Sequence, residues 1–192
     1  MTKTYVLDTN VLIQAPYALE SFEDNQIILP LAVLEELDRL KLAEGDRGSN
    51  ARQAIRFLEK LRLHGSLTEG VPLPGGGCLK LEVNHVGVSL PEGMIPGQSD
   101  NRILKVCKGL LEDGQQVILV TKDIVARIKA QMLGIPAEDF TTDQIPEGVE
   151  HYTGRASVYL PDEAFSEFKK KGPPASLCYM VDAQGQPKPV QL

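Results

Sequence analysis

An α/β fold with a mainly parallel sheet follows from three features of the chain. Strand-length apolar runs alternate with helix-length amphipathic stretches, which is the pattern of βαβ units. The run Val117-Ile118-Leu119-Val120 is uninterrupted, as in a buried strand. Asn50 to Leu63 carries Ala54, Ile55, Phe57, Leu58 and Leu61 on one face at helical spacing.

Taken in order, the first strand covers about Thr4 to Leu7 and leads into a helical stretch through Ala18. A second strand, Gln26 to Leu29, stops at Pro30, and a helix follows from about Leu31 to Lys41. The charged, Gly-bearing stretch Glu44 to Ser49 reads as a loop before the third helix, Asn50 to Leu63. Val71 to Gln98 is rich in Gly and Pro, and within it the alternation Leu79-Lys80-Leu81-Glu82-Val83 argues for a half-exposed strand. Asp100 opens a helix through about Glu112, Asp113-Gly114 turns into the strand Val117 to Val120, and the helix Ile124 to Leu133 stops at Gly134. Beyond about Glu147 the texture changes to aromatic-bearing runs, Lys169-Lys170-Lys171 and Pro173-Pro174. The reading is therefore a domain over 1–147 and a small β-rich appendage over 148–192.

With 192 residues, 42% of them hydrophobic, the chain can bury one substantial core. A net charge of −6 gives no global basic field, so an anionic substrate must be met locally or through bound metal. Cys78, Cys107 and Cys178 are odd in number and widely spaced, which argues against a disulfide framework or zinc site and for a reducing compartment. No apolar run approaches the ~20 residues that cross a bilayer. A cytoplasmic protein without membrane contact is expected. His64, His85 and His151 lack partners at ligand spacing.

Asp8, Glu36, Asp100 and Asp123 carry most of the chemical information. Asp8 and Asp123 follow apolar strands, Glu36 lies on the helix after the second strand, and Asp100 starts a later helix. The carboxyl ends of parallel strands are where distant segments converge in an open α/β sheet. Carboxylates gathered there suit Mg2+ or Mn2+ and phosphodiester hydrolysis. Their mutual repulsion should raise at least one pKa. Taken singly, each is equally well a turn or helix cap. Between two adjacent glutamates, Glu36 stands beside the stripe Val33, Leu37 and Leu40, whereas Glu35 precedes Arg39 by four residues, as in a surface ion pair.

The segments Val6-Leu7-Asp8-Thr9-Asn10-Val11-Leu12-Ile13, Leu34-Glu35-Glu36-Leu37-Asp38, Ser99-Asp100-Asn101-Arg102-Ile103-Leu104 and Val120-Thr121-Lys122-Asp123 resemble, in that order, those of the PIN-domain ribonucleases. The likeness covers Thr4 to about Ile145 and is narrower with the PIN domain that precedes PhoH-like ATPases, including Arg127-Ile128-Lys129-Ala130. The resemblance implies a Rossmann-like three-layer fold and metal-dependent cleavage of single-stranded RNA leaving a 5′ phosphate. It also implies Asp8, Glu36, Asp100 and Asp123 as metal ligands. Thr121 falls at the family's Thr or Ser position and would orient carboxylate or water. Ser99 departs from the Asn associated with this subfamily, which leaves the hydrogen bonding beside Asp100 unspecified. The tail resembles the β-rich connection to the ATPase domain, yet no Gly-x-x-x-x-Gly-Lys-Ser/Thr loop occurs, implying a fragment or a protein without its motor.

For RNA, Arg52, Arg56 and Lys60 form a basic stripe on the third helix, with Arg47 before it and Lys41 beyond the acidic helix. Such contacts position phosphates without reading sequence, although a solvated helix face has the same pattern. Arg102 and Lys122 flank the acids and could meet substrate phosphate. Self-association into a homo-oligomer is left open.

Three other readings compete. A haloacid-dehalogenase-type phosphohydrolase needs an Asp two residues after the first, where Asn10 stands. A response-regulator receiver needs an acidic pair near the N-terminus, which Thr2-Lys3 does not supply. A catalytically silent PIN-like interaction module would keep the acids only as caps.

Overall fold

The computed structural model describes residues 2–85, 87–95, 97–140, 179–181 and 187–189. The backbone clusters into two units, Met1–Val149 and Glu150–Leu192. The strands of the first are β1 (Thr4–Leu7), β2 (Gln26–Pro30), β3 (Val71–Pro72), β4 (Cys78–Glu82), β5 (Val117–Val120) and β6 (Ala137–Glu138). They form one sheet in the order β3-β4-β2-β1-β5-β6, parallel throughout except where β3 meets β4. Helices α1 (Thr9–Gln14), α2 (Leu31–Leu40), α3 (Gly45–Arg62), α4 (Ser99–Glu112) and α5 (Ile124–Met132) complete the three-layer α/β fold. The core runs along the central strands, where Val6, Leu7, Ile28, Leu29 and Leu119 are almost wholly buried. Removing one such side chain typically costs about 2–5 kcal/mol, so the strand ends that carry the acids rest on a stiff platform.

Several element boundaries differ from those expected. α1 stops at Gln14, not Ala18, because Pro16 forces the preceding Ala15 out of helical conformation, to φ −138° and ψ 91°. A separate 3-10 turn, Ala18–Glu20, follows. α3 begins at Gly45, so most of the expected charged loop is its first turns. The corner there is tight. Gly45 has a positive φ of 72°, and a side chain on Gly48 would lie 1.8 Å from the Ala43 carbonyl oxygen. β3 and β6, two residues each, are too short to show a period.

The 148–192 appendage lies outside the described residues apart from two strands, Tyr179–Val181 and Pro187–Pro189, paired antiparallel. His151, Lys169 to Lys171 and Pro173-Pro174 are not among the described residues. Among those that are, no helix is long and apolar enough to cross a membrane.

Candidate active site

The register of β1 and β5 sets Leu7 opposite Val120, so Asp8 and Thr121 leave the sheet side by side at its carboxyl edge. The Asp8 N–H extends the ladder by donating to the Val120 carbonyl at 3.0 Å. Asp8 is 7% exposed, and both its carboxylate oxygens accept hydrogen bonds. Oδ1 accepts from the Thr9 N–H at 2.6 Å, capping α1, while Oδ2 accepts from the Thr121 hydroxyl at 2.6 Å and the Asn10 amide at 2.7 Å. Burial pushes the carboxyl up from 3.8 to about 6. Hydrogen bonds from Thr121 and Thr9 pull it down, and the charges of Asp100 and Glu36 add to the rise. The expected shift is present, but burial rather than mutual repulsion is its main cause.

Thr121 and Asn10 knit the two strand-end loops together. The buried Thr121 oxygen accepts from the Asp123 N–H at 3.0 Å, and Asn10 Oδ1 accepts from the Lys122 N–H at 3.0 Å. Asp123 then caps α5, its Oδ1 accepting from Val125 N–H at 2.7 Å and Ala126 N–H at 3.4 Å. The strand-end acids are therefore caps and cleft residues at once; the two readings do not compete.

Glu36 is reached because α2 starts directly at the end of β2, with Pro30 as its N-cap, and points the residue toward α1 and α4. Its Oε2 accepts from the Thr9 hydroxyl at 2.9 Å and the Ser99 hydroxyl at 3.0 Å. Asp100, in the first turn of α4, has a long ion pair with Lys129 at 3.7 Å. All four acids line one cleft of about 350 Å³, together with Thr9, Asn10 and Arg47. A wider groove of about 1210 Å³ shares Asp100 and carries Arg39, Arg102 and Lys129.

Among the described residues, no three acidic, histidine or cysteine side chains stand close enough together to enclose an ion as placed. Each acid settles on the donors beside it: Glu36 on two hydroxyls, Asp123 on the α5 amides, Asp100 toward Lys129. The donor set is nevertheless all oxygen, which suits hard divalent cations. Glu36 Oε1, Asp123 Oδ2 and Asp100 Oδ1 accept no hydrogen bond among the described residues.

Residues 5–141 match the family model for the PIN domain. The chain belongs to the PIN-domain family. It is 44% identical over 178 residues to a Bacillus subtilis protein named PhoH2, covering 89% of this chain and 40% of that one. Proteins of the same name from Thermobispora bispora and Mycolicibacterium smegmatis are each 38% identical over 164 residues, covering 84% of this chain and 37% of theirs. The chain thus spans about 40% of the length of the curated relatives it matches.

On this PIN domain the expected basic residues divide. Arg52 donates to the Lys41 carbonyl at 2.7 Å, which ties α3 to the end of α2. Arg102, on α4, makes the direct ion pair with Glu35, and the charge of the expected Arg39 adds a smaller attraction. Lys122 donates to the Phe140 carbonyl at 2.6 Å and lies 3.6 Å from Asp139. Arg56 and Lys60 are exposed on α3 and do not line the cleft. Sequence reasoning missed Thr9, Asn10 and Ser99 as the donors that hold Asp8 and Glu36, although each neighbours a singled-out acid or its motif. Arg127, noted there only as part of a motif, donates its guanidinium N–H to the Thr121 carbonyl at 2.8 Å and pairs with Asp139 at 3.3 Å.

Proposed function

We propose that this PIN domain, spanning 1–147, is a divalent-metal-dependent endoribonuclease that hydrolyses single-stranded RNA. One observation carries the reading: acids from the β1–α1 junction, α2, α4 and the β5–α5 junction line a single cleft. Asp8, Glu36, Asp100 and Asp123 would hold Mg2+ or Mn2+. When bound, such an ion supplies an activated water and positive charge for the leaving oxygen. Thr121 and Asn10 fix the direction of the Asp8 carboxylate, the Thr121 hydroxyl favours its charged form, and Thr9 and Ser99 orient Glu36 while leaving its second oxygen available. Arg56 and Lys60 would guide the strand along α3, and the PhoH2 relatives support an ATPase region in a longer protein.

A catalytically silent interaction module is the second reading, favoured by the spacing of the acids as placed. Incubating the chain with single-stranded RNA and manganese separates the two. Cleavage should require the metal, stop with chelator and fall by at least about 100-fold in Asp8→Asn and Glu36→Gln, as when a group that stabilises developing charge is removed. RNA left intact by the wild type would favour the silent module.

A further inference from the structure

Arg47 stands out once the cations around the site are sorted by what they touch. Arg102, Lys122, Arg127 and Lys129 each face a carboxylate, and Arg52 is spent on a backbone carbonyl. Arg47 is exposed, pairs with no carboxylate among the described residues, and is the one basic residue among those lining the cleft of the four acids.

Its position is built, because the first turns of α3 are pinned from three directions. Gly48 lets the helix lie against the Ala43 carbonyl, the Asn50 amide donates to the Ile13 carbonyl at 2.7 Å, and Arg52 donates to the Lys41 carbonyl at 2.7 Å. Asn50 joins α3 to α1, the helix that follows Asp8, while Arg52 joins it to α2, the helix that carries Glu36. The corner bearing Arg47 is thereby fixed to two of the elements that bring acids to the cleft.

We propose that Arg47 binds the phosphodiester at the cleavage site, an inference that rests on the nuclease reading above. A phosphodiester entering a cleft of four carboxylates meets repulsion, and a bound divalent ion offsets only part of that charge. Arginine answers the remainder with a planar fork that spans two phosphate oxygens and stays charged at every working pH. The cleft's other polar lining residues offer no second cation. Arg56 and Lys60 would contact phosphates further along the strand, so Arg47 differs from them in acting at the reacting group.

The test compares wild type, Arg47→Ala and Arg47→Lys on a single-stranded RNA oligonucleotide with manganese, at several salt concentrations. Arg47→Ala should lower kcat/KM by about 10- to 100-fold and flatten its logarithmic salt dependence by about 0.7, the loss of one single-strand phosphate contact. Arg47→Lys should recover part of the rate and all of the salt slope. The manganese-induced rise in melting temperature should be at least as large in Arg47→Ala as in wild type, because a neighbouring positive charge has been removed. A merely structural arginine would alter melting and leave the salt slope unchanged. If wild type cleaves and Arg47→Ala cleaves within about twofold of it with the same salt slope, the inference fails alone. If wild type does not cleave, the nuclease reading fails and takes the inference with it.

Discussion

Asp8 is held in a conflict that its neighbours only partly relieve. It lies almost wholly buried with three hydrogen bonds, yet its pKa stands at about 6 against an ordinary 3.8. Between those values the folded protein holds a proton that the unfolded chain has released, so raising the pH costs stability. The contribution is whole below about pH 4 and is lost as pH rises through about 6, and its ceiling is about 3 kcal/mol. In chelator, Asp8→Asn should therefore flatten the fall in stability between pH 4 and 7. Near pH 7 it should stabilise the fold by up to a few kcal/mol, less about 1 kcal/mol for a hydrogen bond its amide nitrogen cannot accept. Urea melts across that range check the sign; a variant less stable than wild type at pH 7 and parallel to it in pH would contradict the burial account. Glu36 and Glu35 make the second comparison at this scale. Glu36→Gln should lose activity, because its carboxylate is presented to the cleft by Thr9 and Ser99. Glu35→Gln only breaks an exposed pair with Arg102, and the same cleavage assay should find it near wild type. Equal losses would defeat the assignment.

At the scale of elements, caps and chemistry share residues, and the two can be separated. Asp123 caps α5 through Oδ1. Asn caps as well as Asp, whereas Ala forfeits about 1 kcal/mol. Asp123→Asn should thus keep its stability and lose metal-dependent cleavage, while Asp123→Ala loses both; retained cleavage in the Asn variant would leave Asp123 a cap alone. The α2–α3 corner gives another test. Gly48→Ala drives a methyl group into the Ala43 carbonyl and should destabilise by about 1–3 kcal/mol or more in urea melts. Little change would mean that the corner yields easily. The same corner shows where pattern reading stops. The apolar period locates α3 from Asn50 onward, but its first turns contain Gly45, Asp46, Arg47, Gly48 and Ser49, a composition typical of loops, and the close approach to Ala43 that requires a glycine at 48 leaves no trace in that period. α1 was overextended for the opposite reason, since the effect of Pro16 on the residue before it outweighed the apolar run.

Across the whole molecule, the sheet is what brings four acids distant in sequence to the lining of one cleft. β1 and β5 run parallel in adjacent register, which made Asp8 and the Thr121–Asp123 loop legible from the sequence as strand ends. Glu36 was legible from the helical period of α2, which distinguishes it from Glu35. The hydroxyl and amide donors were not legible, because Thr9, Asn10, Ser99 and Thr121 meet their partners only through the fold. The partners of the cations are equally invisible in the pattern: a basic stripe shows which residues share a helix face, not that Arg52 meets a carbonyl or that Arg102 and Lys122 meet carboxylates. The central claim is that these four acids form one divalent-cation site, and thermal melting of the chelator-stripped chain titrated with manganese tests it most directly. An ion that binds the fold and not the unfolded chain adds about 2.7 kcal/mol at one hundred times Kd. For a domain of this size that is a rise of about 5–10 °C. The account predicts this rise with manganese, none with potassium at matched ionic strength, and a smaller rise in Glu36→Gln, Asp100→Asn and Asp123→Asn. A wild-type melting temperature unmoved by millimolar manganese would contradict it.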